Sequence, residues 1–338
     1  MHWFKNDYSE GAHPRILDSL IRDNTTRTPG YGDDEICEEA RGLIRREIAQ
    51  PDALVRFIPG GTQTNQIMIA HALRPHEAVI AAEGGHISTH ETGAIEATGH
   101  KVLTAPARDA KLTPELIGRV LAAHGGPHMV KPGMVYISDT TEFGTHYTRA
   151  ELEAIRTLCL EKDLILYLDG ARLASALAAS EGDLTIRDIA RLTDCFYIGG
   201  TKNGALFGEA LVVTRDDLKM DLDYTIKQRG AMTAKGRLLG IQFRALFQDG
   251  LYYEIGRYEN RMAARLREGL ERAGRALYTD SKTNQLFVFL PEEVMEGLAK
   301  GFHFEPGGEE GGMKIARFVT SWTTNEADVD ALIEALQS

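Results

Sequence analysis

The chain has 338 residues and a mass of 37.3 kDa, long for one compact core and short for three domains, so two are expected. Hydrophobic residues make up 43% and charged residues 26%, proportions of a globular chain rather than a disordered one. The 49 acidic against 38 basic residues leave a net charge of −11 with no Lys/Arg block to offset it, which argues against nucleic acid or an anionic membrane as partner.

The N-terminal stretch turns polar at Lys5 and has no signal-peptide core. An apolar run at 54–58 ends in Pro59-Gly60-Gly61 and leads into a helical pattern at 65–73. A second strand at 78–82 is followed by Gly84-Gly85, a helix near 89–98 and a short strand at 101–103. The segment 113–123 reads as a helix with a Thr-Pro-Glu start. Then come a strand at 134–138, a helix at 149–162, a strand at 164–168, a further helix, and strands at 195–198 and 210–213. Apolar strands alternating with helices predict an α/β fold, a mostly parallel sheet covered on both faces.

The texture changes after about Gly250. A charged amphipathic helix at 252–274 precedes a strand at 286–290, a helix at 292–300, a strand at 315–320 and a helix at 326–336, which together read as a small α+β domain. The Gly-rich, acidic stretch 305–312 reads as an exposed loop. The longest apolar runs are strand-sized, so no membrane span is expected, and the chain reads as cytoplasmic. Cys37, Cys159 and Cys195 are odd in number and widely spaced, which points to structural thiols rather than a disulfide or a nucleophile.

Two residues open the chemistry. Asp169 closes the apolar run Leu-Ile-Leu-Tyr-Leu, at the carboxyl end of a predicted strand, where open α/β sheets bind ligands. Lys202 lies just past another such strand, among small residues (Gly199-Gly200-Thr201-Lys202-Asn203-Gly204) that leave room for a planar group. An acid and a lysine at one sheet edge suit pyridoxal phosphate, with the lysine as Schiff-base former and the acid on the ring nitrogen; an ordinary buried salt bridge suits them equally. The turn Gly60-Gly61-Thr62-Gln63 opens a helix whose first N–H groups can hold a phosphate, although Thr also caps helices with no ligand. It matches neither a P-loop nor a dinucleotide fingerprint. His86 and His90, at i and i+4, read as a residue stacked on a cofactor with a neighbour, as two members of a metal site lacking its third ligand, or as ordinary polar helix residues. No metal is expected.

Taken together these pieces resemble the fold-type-I pyridoxal-phosphate enzymes, most closely the low-specificity threonine aldolases of the β-eliminating lyase group. The likeness runs in order through Tyr31-Gly-Asp-Asp, Gly-Gly-Thr-Gln-Thr-Asn at 60–65, His86 with Glu91-Thr-Gly-Ala, and Thr141-Glu142-Phe-Gly. It continues through Asp169-Gly-Ala-Arg172, Gly-Gly-Thr-Lys-Asn-Gly at 199–204, Lys227-Gln228 and Ala316-Arg317-Phe318. It implies a seven-stranded, mostly parallel sheet in a large cofactor-binding domain at 15–249, a small α+β domain at 250–338, and an N-terminal segment at 1–14 packed on the small domain or a partner subunit.

The resemblance also implies site roles. Lys202 carries the Schiff base, Asp169 keeps the ring nitrogen protonated, and His86 covers the ring. Gly61, Thr62 and Gln63 hold the phosphate, while Arg172 and Arg317 clamp the substrate carboxylate, a job suited to a guanidinium fork. Tyr31 reaches a neighbouring subunit's site in a homodimer or dimer of dimers. Departures from the family pattern fall at three places. Asn6 stands where some members have a substrate-touching serine. His90 with Glu142 stands in place of another tyrosine and histidine pairing, with His90, Glu142 or a water as the base. A phosphate-binding arginine of one branch is missing, leaving Lys235 or Arg229 to replace it. The implied reaction is cleavage of a β-hydroxy-α-amino acid such as threonine to glycine and an aldehyde, with β-elimination, racemisation or transamination on the same cofactor as the rival.

Overall fold

The computed structural model describes residues 1–337; Ser338 lies outside them. Its strands in chain order are β1 (His2–Trp3), β2 (Leu54–Ile58), β3 (Glu77–Ala82), β4 (Val102–Ala105), β5 (Lys131–Ser138) and β6 (Ile165–Asp169). They continue with β7 (Cys195–Gly199), β8 (Glu209–Val213), β9 (Gln285–Leu290), β10 (Phe302–His303), β11 (Glu305–Glu310) and β12 (Met313–Val319).

Seven strands form the main sheet in the order β2-β8-β7-β6-β5-β3-β4. The run from β4 through β3, β5 and β6 to β7 is parallel, whereas β8 is antiparallel to both β7 and β2. Side chains alternate between two buried layers, as a sheet covered on both faces requires. Ile80, Val135, Ile137, Leu166, Leu168, Phe196, Ile198 and Val212 face one apolar cluster; Val79, Ala81, Met134, Ile165, Leu211 and Val213 face the other. Each fully buried aliphatic side chain contributes on the order of 1.5–3 kcal/mol, so the central strands anchor what stands at their ends. The reversal of β8 matters for the site: it sets Glu209, the strand's first residue, opposite Gly199.

A second, antiparallel sheet, β11-β12-β9, packs with the helix Leu251–Arg272 and the helix Glu326–Gln337. The longer helix buries Leu251, Tyr252 and Ile255 in the main core and Met262, Ala263, Leu266 and Leu270 under the small sheet. It crosses the helix Leu173–Ala179 so closely that a Cβ at Gly256 would lie 2.3 Å from the Ala174 carbonyl oxygen. β1 pairs with β10, which ties the N-terminal segment to the C-terminal part of the chain.

Two sequence expectations are corrected. No helix runs over 89–98: a single turn, His86–Thr89, is followed by positive φ at Thr92 and Gly93 and a 3-10 turn at Glu96–Thr98. Left-handed residues in succession break the helical path. The stretch 305–312 is not a loop, because β11 and β12 form a hairpin around Gly311 and Gly312, both at positive φ as a two-residue turn demands. Composition suggested a loop, but the glycines serve the turn and a register shift at Pro306/Gly308.

Candidate active site

Asp169 ends β6 and is 3% exposed. No cation meets it: among the described residues neither Asp169 nor Lys202 takes part in an ion pair, so the buried-salt-bridge reading fails. Donors surround the carboxylate instead. Tyr136 and Tyr197 donate from their hydroxyls at 2.5 Å each, the Ala171 N–H at 3.0 Å and Asn65 Nδ2 at 3.2 Å. Strand alternation explains the arrangement, since Tyr136 on β5 and Tyr197 on β7 project into the same layer as Tyr167, two residues before Asp169 on β6. Burial first, and then the Asp169 charge, push both phenols well above the ordinary tyrosine value, so they remain donors.

Asn65 extends the network. Its amide nitrogen also donates to Glu91 at 2.8 Å, and its carbonyl oxygen accepts from the Tyr167 hydroxyl at 2.8 Å. Glu91, with a fully buried side chain, bonds His86 Nδ1 at 2.8 Å. Burial alone would lower the His86 pKa, but the Glu91 hydrogen bond and the charges of Glu142 and Asp169 outweigh it and raise the net value. A continuous chain thus links His86 to Asp169 through Glu91 and Asn65.

Lys202 projects its ammonium into the same space with no hydrogen-bond partner among the described residues. Burial, followed by the Arg172 guanidinium, pushes it below the ordinary lysine value, while Asp7, Glu142 and Asp169 pull it back. A lysine eased toward its neutral form is a better nucleophile. Its loop is braced from behind by Glu209, which accepts from the Gly200 N–H at 2.9 Å and the Thr201 hydroxyl at 2.8 Å. Burial pushes Glu209 up to about 8 against those two bonds.

Two guanidiniums face each other nearby. Arg172 is 6% exposed and bidentate to Asp7, through Nε at 2.6 Å and Nη2 at 3.0 Å, leaving Nη1 without a partner among the described residues. Arg317, on β12, makes one long contact from Nη2 to the Lys5 carbonyl at 3.5 Å, and its Nε is buried with no partner. Burial and then the Arg172 charge lower the Arg317 pKa. Two neighbouring cations with unused donors, only one of them paired to a carboxylate, form a receptor for a second carboxylate.

The helix Gly61–Ala72 starts on Gly60 with no side-chain cap, and its first three N–H groups, those of Gly61, Thr62 and Gln63, have no acceptor among the described residues. A Cβ on Gly61 would meet the Tyr197 hydroxyl at 3.1 Å, which seats this turn directly against the Asp169 cluster. Gln63 Nε2 donates to the Arg229 carbonyl at 2.8 Å, and Arg229 Nε is buried without a partner. Lys235 is exposed, in a loop that packs on Tyr31 and Gly32, and its side chain makes no hydrogen bond or ion pair among the described residues.

His90 is exposed, its ring 5.6 Å from that of His86, and makes no hydrogen bond among the described residues. Glu142 is half-buried, also without a hydrogen bond, and acts electrostatically on His86, Arg172 and Lys202. Asn6 closes a turn: its Oδ1 accepts from the Tyr8 N–H at 3.2 Å and the Ser9 hydroxyl at 2.7 Å. Tyr31 is 51% exposed, with the Lys227 ammonium 4.6 Å from its ring centre. No group of three metal-ligating side chains occurs among the described residues. Sequence reasoning missed Asp7, Tyr136 and Tyr197, and it gave no role to Glu209, which belongs to the family-like stretch Gly208-Glu209-Ala210. The tyrosines carried a usable signal, since both stand on strands flanking the one that ends in Asp169; Asp7 carried none, because nothing local ties it to Arg172.

Residues 28–293 match the β-eliminating lyase family model. The chain is 33% identical over 329 residues to the low specificity L-threonine aldolase of Pseudomonas aeruginosa, covering 95% of this chain and 93% of that one. A solved structure of Leishmania major threonine aldolase superposes with a TM-score of 0.98 at 52% identity, covering 100% of this chain and 99% of that one. Thermus thermophilus aspartate aminotransferase, at 17% identity and a TM-score of 0.75, shares the fold-type-I architecture. A lysine and an aspartate at neighbouring strand ends, an open helix N-terminus and a full-length match therefore lead to one assignment: the chain belongs to the β-eliminating lyase family.

Proposed function

We propose that the protein is a pyridoxal-phosphate-dependent aldolase that cleaves threonine and related β-hydroxy-α-amino acids to glycine and an aldehyde. The observation that carries this reading is the convergence of an unpaired lysine and a carboxylate at one edge of the main sheet with two under-used guanidiniums, one of them from the small sheet. The likeness to threonine aldolases, at 52% and 33% identity, supports the aldol reaction over elimination. Residues 15–249 form the unit that holds the cofactor, and residues 250–338 bring Arg317.

The chain's residues fit the cofactor: three open N–H groups for its phosphate, Asp169 for its ring nitrogen, and Lys202 with no competing partner for its aldehyde. Bound there, pyridoxal phosphate supplies the electron sink that Cα–Cβ cleavage requires. Arg172 Nη1 and Arg317 Nε bind the substrate carboxylate and thereby fix the rotation about its Cα. His86, held by Glu91, covers the ring. His90, exposed and with no hydrogen bond among the described residues, takes the proton from the β-hydroxyl. Glu142, unpaired and acting on the same groups, is the second candidate for that proton.

The active form is a homodimer or a dimer of dimers. Exposed Tyr31, Leu206, Phe207, Met220 and Tyr224 supply apolar surface for an interface. Three buried, free thiols suit a reducing compartment, and the cytoplasm is the location proposed. No helix among the described residues is long and apolar enough to cross a membrane. Product analysis tests the reaction: threonine should yield glycine and acetaldehyde in equal amounts. Formation of 2-oxobutanoate and ammonia instead would assign elimination.

A further inference from the structure

An ionised carboxylate offers about four lone-pair positions. At Asp169 the protein supplies four donors: Tyr197 and the Ala171 N–H on Oδ1, Tyr136 and, at a longer distance, Asn65 on Oδ2. Four donors are more than orienting one side chain requires, and a ring nitrogen would share the carboxylate with them. A carboxylate that shares its charge with four donors is a weaker acceptor toward any further one. The two phenols make the shortest contacts, 2.5 Å each, against 3.2 Å for Asn65, whose amide nitrogen is divided between Asp169 and Glu91.

Neither phenol is there merely to fill space. Tyr136 and Tyr197 are 1% and 2% exposed, and a buried hydroxyl needs a partner, but a phenylalanine would fill either place with no such need. A Cβ at Gly61 would meet the Tyr197 hydroxyl at 3.1 Å, so the group that bonds the carboxylate also stands beside the open helix turn. Tyr167 does not reach Asp169; it locks the Asn65 amide by donating to its oxygen.

We propose that Tyr136 and Tyr197 are positioning residues that act on the cofactor through Asp169, weakening its carboxylate as an acceptor so that the proton of the cofactor ring nitrogen stays on nitrogen. This inference rests on the cofactor reading above and adds to it the pair of residues that tunes the acid–base balance of the ring. Loss of a phenol makes Asp169 a stronger acceptor and draws that proton toward oxygen. A charge-assisted hydrogen bond is worth enough to shift the proton equilibrium by roughly tenfold per phenol.

The test loads wild type, Tyr136→Phe, Tyr197→Phe and the double variant with pyridoxal phosphate carrying nitrogen-15 in its ring, and records the nitrogen resonance. It should move toward the unprotonated pyridine position in each single variant and further in the double one. Substituting fluorotyrosine, a more acidic phenol of nearly the same shape, at either position should move it the opposite way. Shifts of opposite sign cannot come from packing. An unchanged resonance in the double variant, or shifts of one sign for both substitutions, would overturn the proposal. The wild-type spectrum separates the two levels: if it shows no lysine-linked cofactor absorbance, the cofactor reading itself fails and takes this inference with it. A normal wild-type spectrum with unresponsive variants defeats the tyrosine pair alone.

Discussion

Replacing Asp7 with asparagine tests how the carboxylate receptor is held together. The Asp7 side chain is fully buried and that of Arg172 nearly so, and they share two charge-assisted hydrogen bonds, with Asn284 donating a third at 2.9 Å. Asparagine keeps the shape and one acceptor, but its amide hydrogens point at the guanidinium donors. Arg172 then loses its ion-pair partner beside Arg317 and Lys202, and Glu142 acts on it only at a distance. Removing one partner of a buried pair costs about 3–5 kcal/mol. Urea denaturation at neutral pH should show a loss in that range.

The pH dependence fixes the cause. Burial would raise the Asp7 pKa, but the Arg172 charge and hydrogen bonds outweigh it and hold it below the ordinary 3.8. Its stabilisation is therefore complete above pH 3.8 and is lost as pH falls through the depressed value. The gap between wild type and variant should close in acid. Because Asp7 aims the Nη1 side of Arg172 at the substrate, KM for threonine should also rise. A stability loss under about 1 kcal/mol, or a fall in KM showing that Asp7 competes with the substrate, would refute this account of the pair.

Arg317→Ala should cost about 2–5 kcal/mol in substrate binding and leave cofactor affinity alone, as read from KM and from cofactor titration. His90→Asn should slow aldol cleavage without changing the cofactor absorbance, whereas an equal loss in Glu142→Gln alone would move the base to that residue. Glu91→Gln should lower the His86 titration point in an imidazole NMR titration. Since a raised histidine pKa stabilises the fold below the ordinary 6.5 and ceases to do so as pH rises through the folded value, the variant's stability deficit should be larger at pH 5 than at pH 9.

Much of the fold was legible because its signals are local. Largely apolar runs located β2, β6, β7 and β8 to within a residue or two, and the helix Arg149–Glu161 was placed to within one residue. What failed were places where backbone conformation overrides composition: the left-handed break at Thr92-Gly93 and the glycine turn of the last hairpin. The site divides similarly. Asp169, Lys202 and the Gly60-Gly61 turn lie at strand ends and can be read from pattern. Their supports cannot, because Asp7 meets Arg172 across 165 positions of sequence and Tyr136 meets Asp169 across 33. Only the register of neighbouring strands, or the return of the N-terminal segment, brings such pairs together.

The central claim is that Lys202 is the residue that captures the cofactor. Treating the loaded protein with borohydride, digesting it and weighing the peptides reads that directly. A pyridoxyl mass should appear on the peptide containing Lys202 and vanish in Lys202→Ala, a variant expected to stay folded because this side chain makes no hydrogen bond or ion pair among the described residues. A label on a different lysine, or none on a protein that has bound the cofactor, would contradict the account.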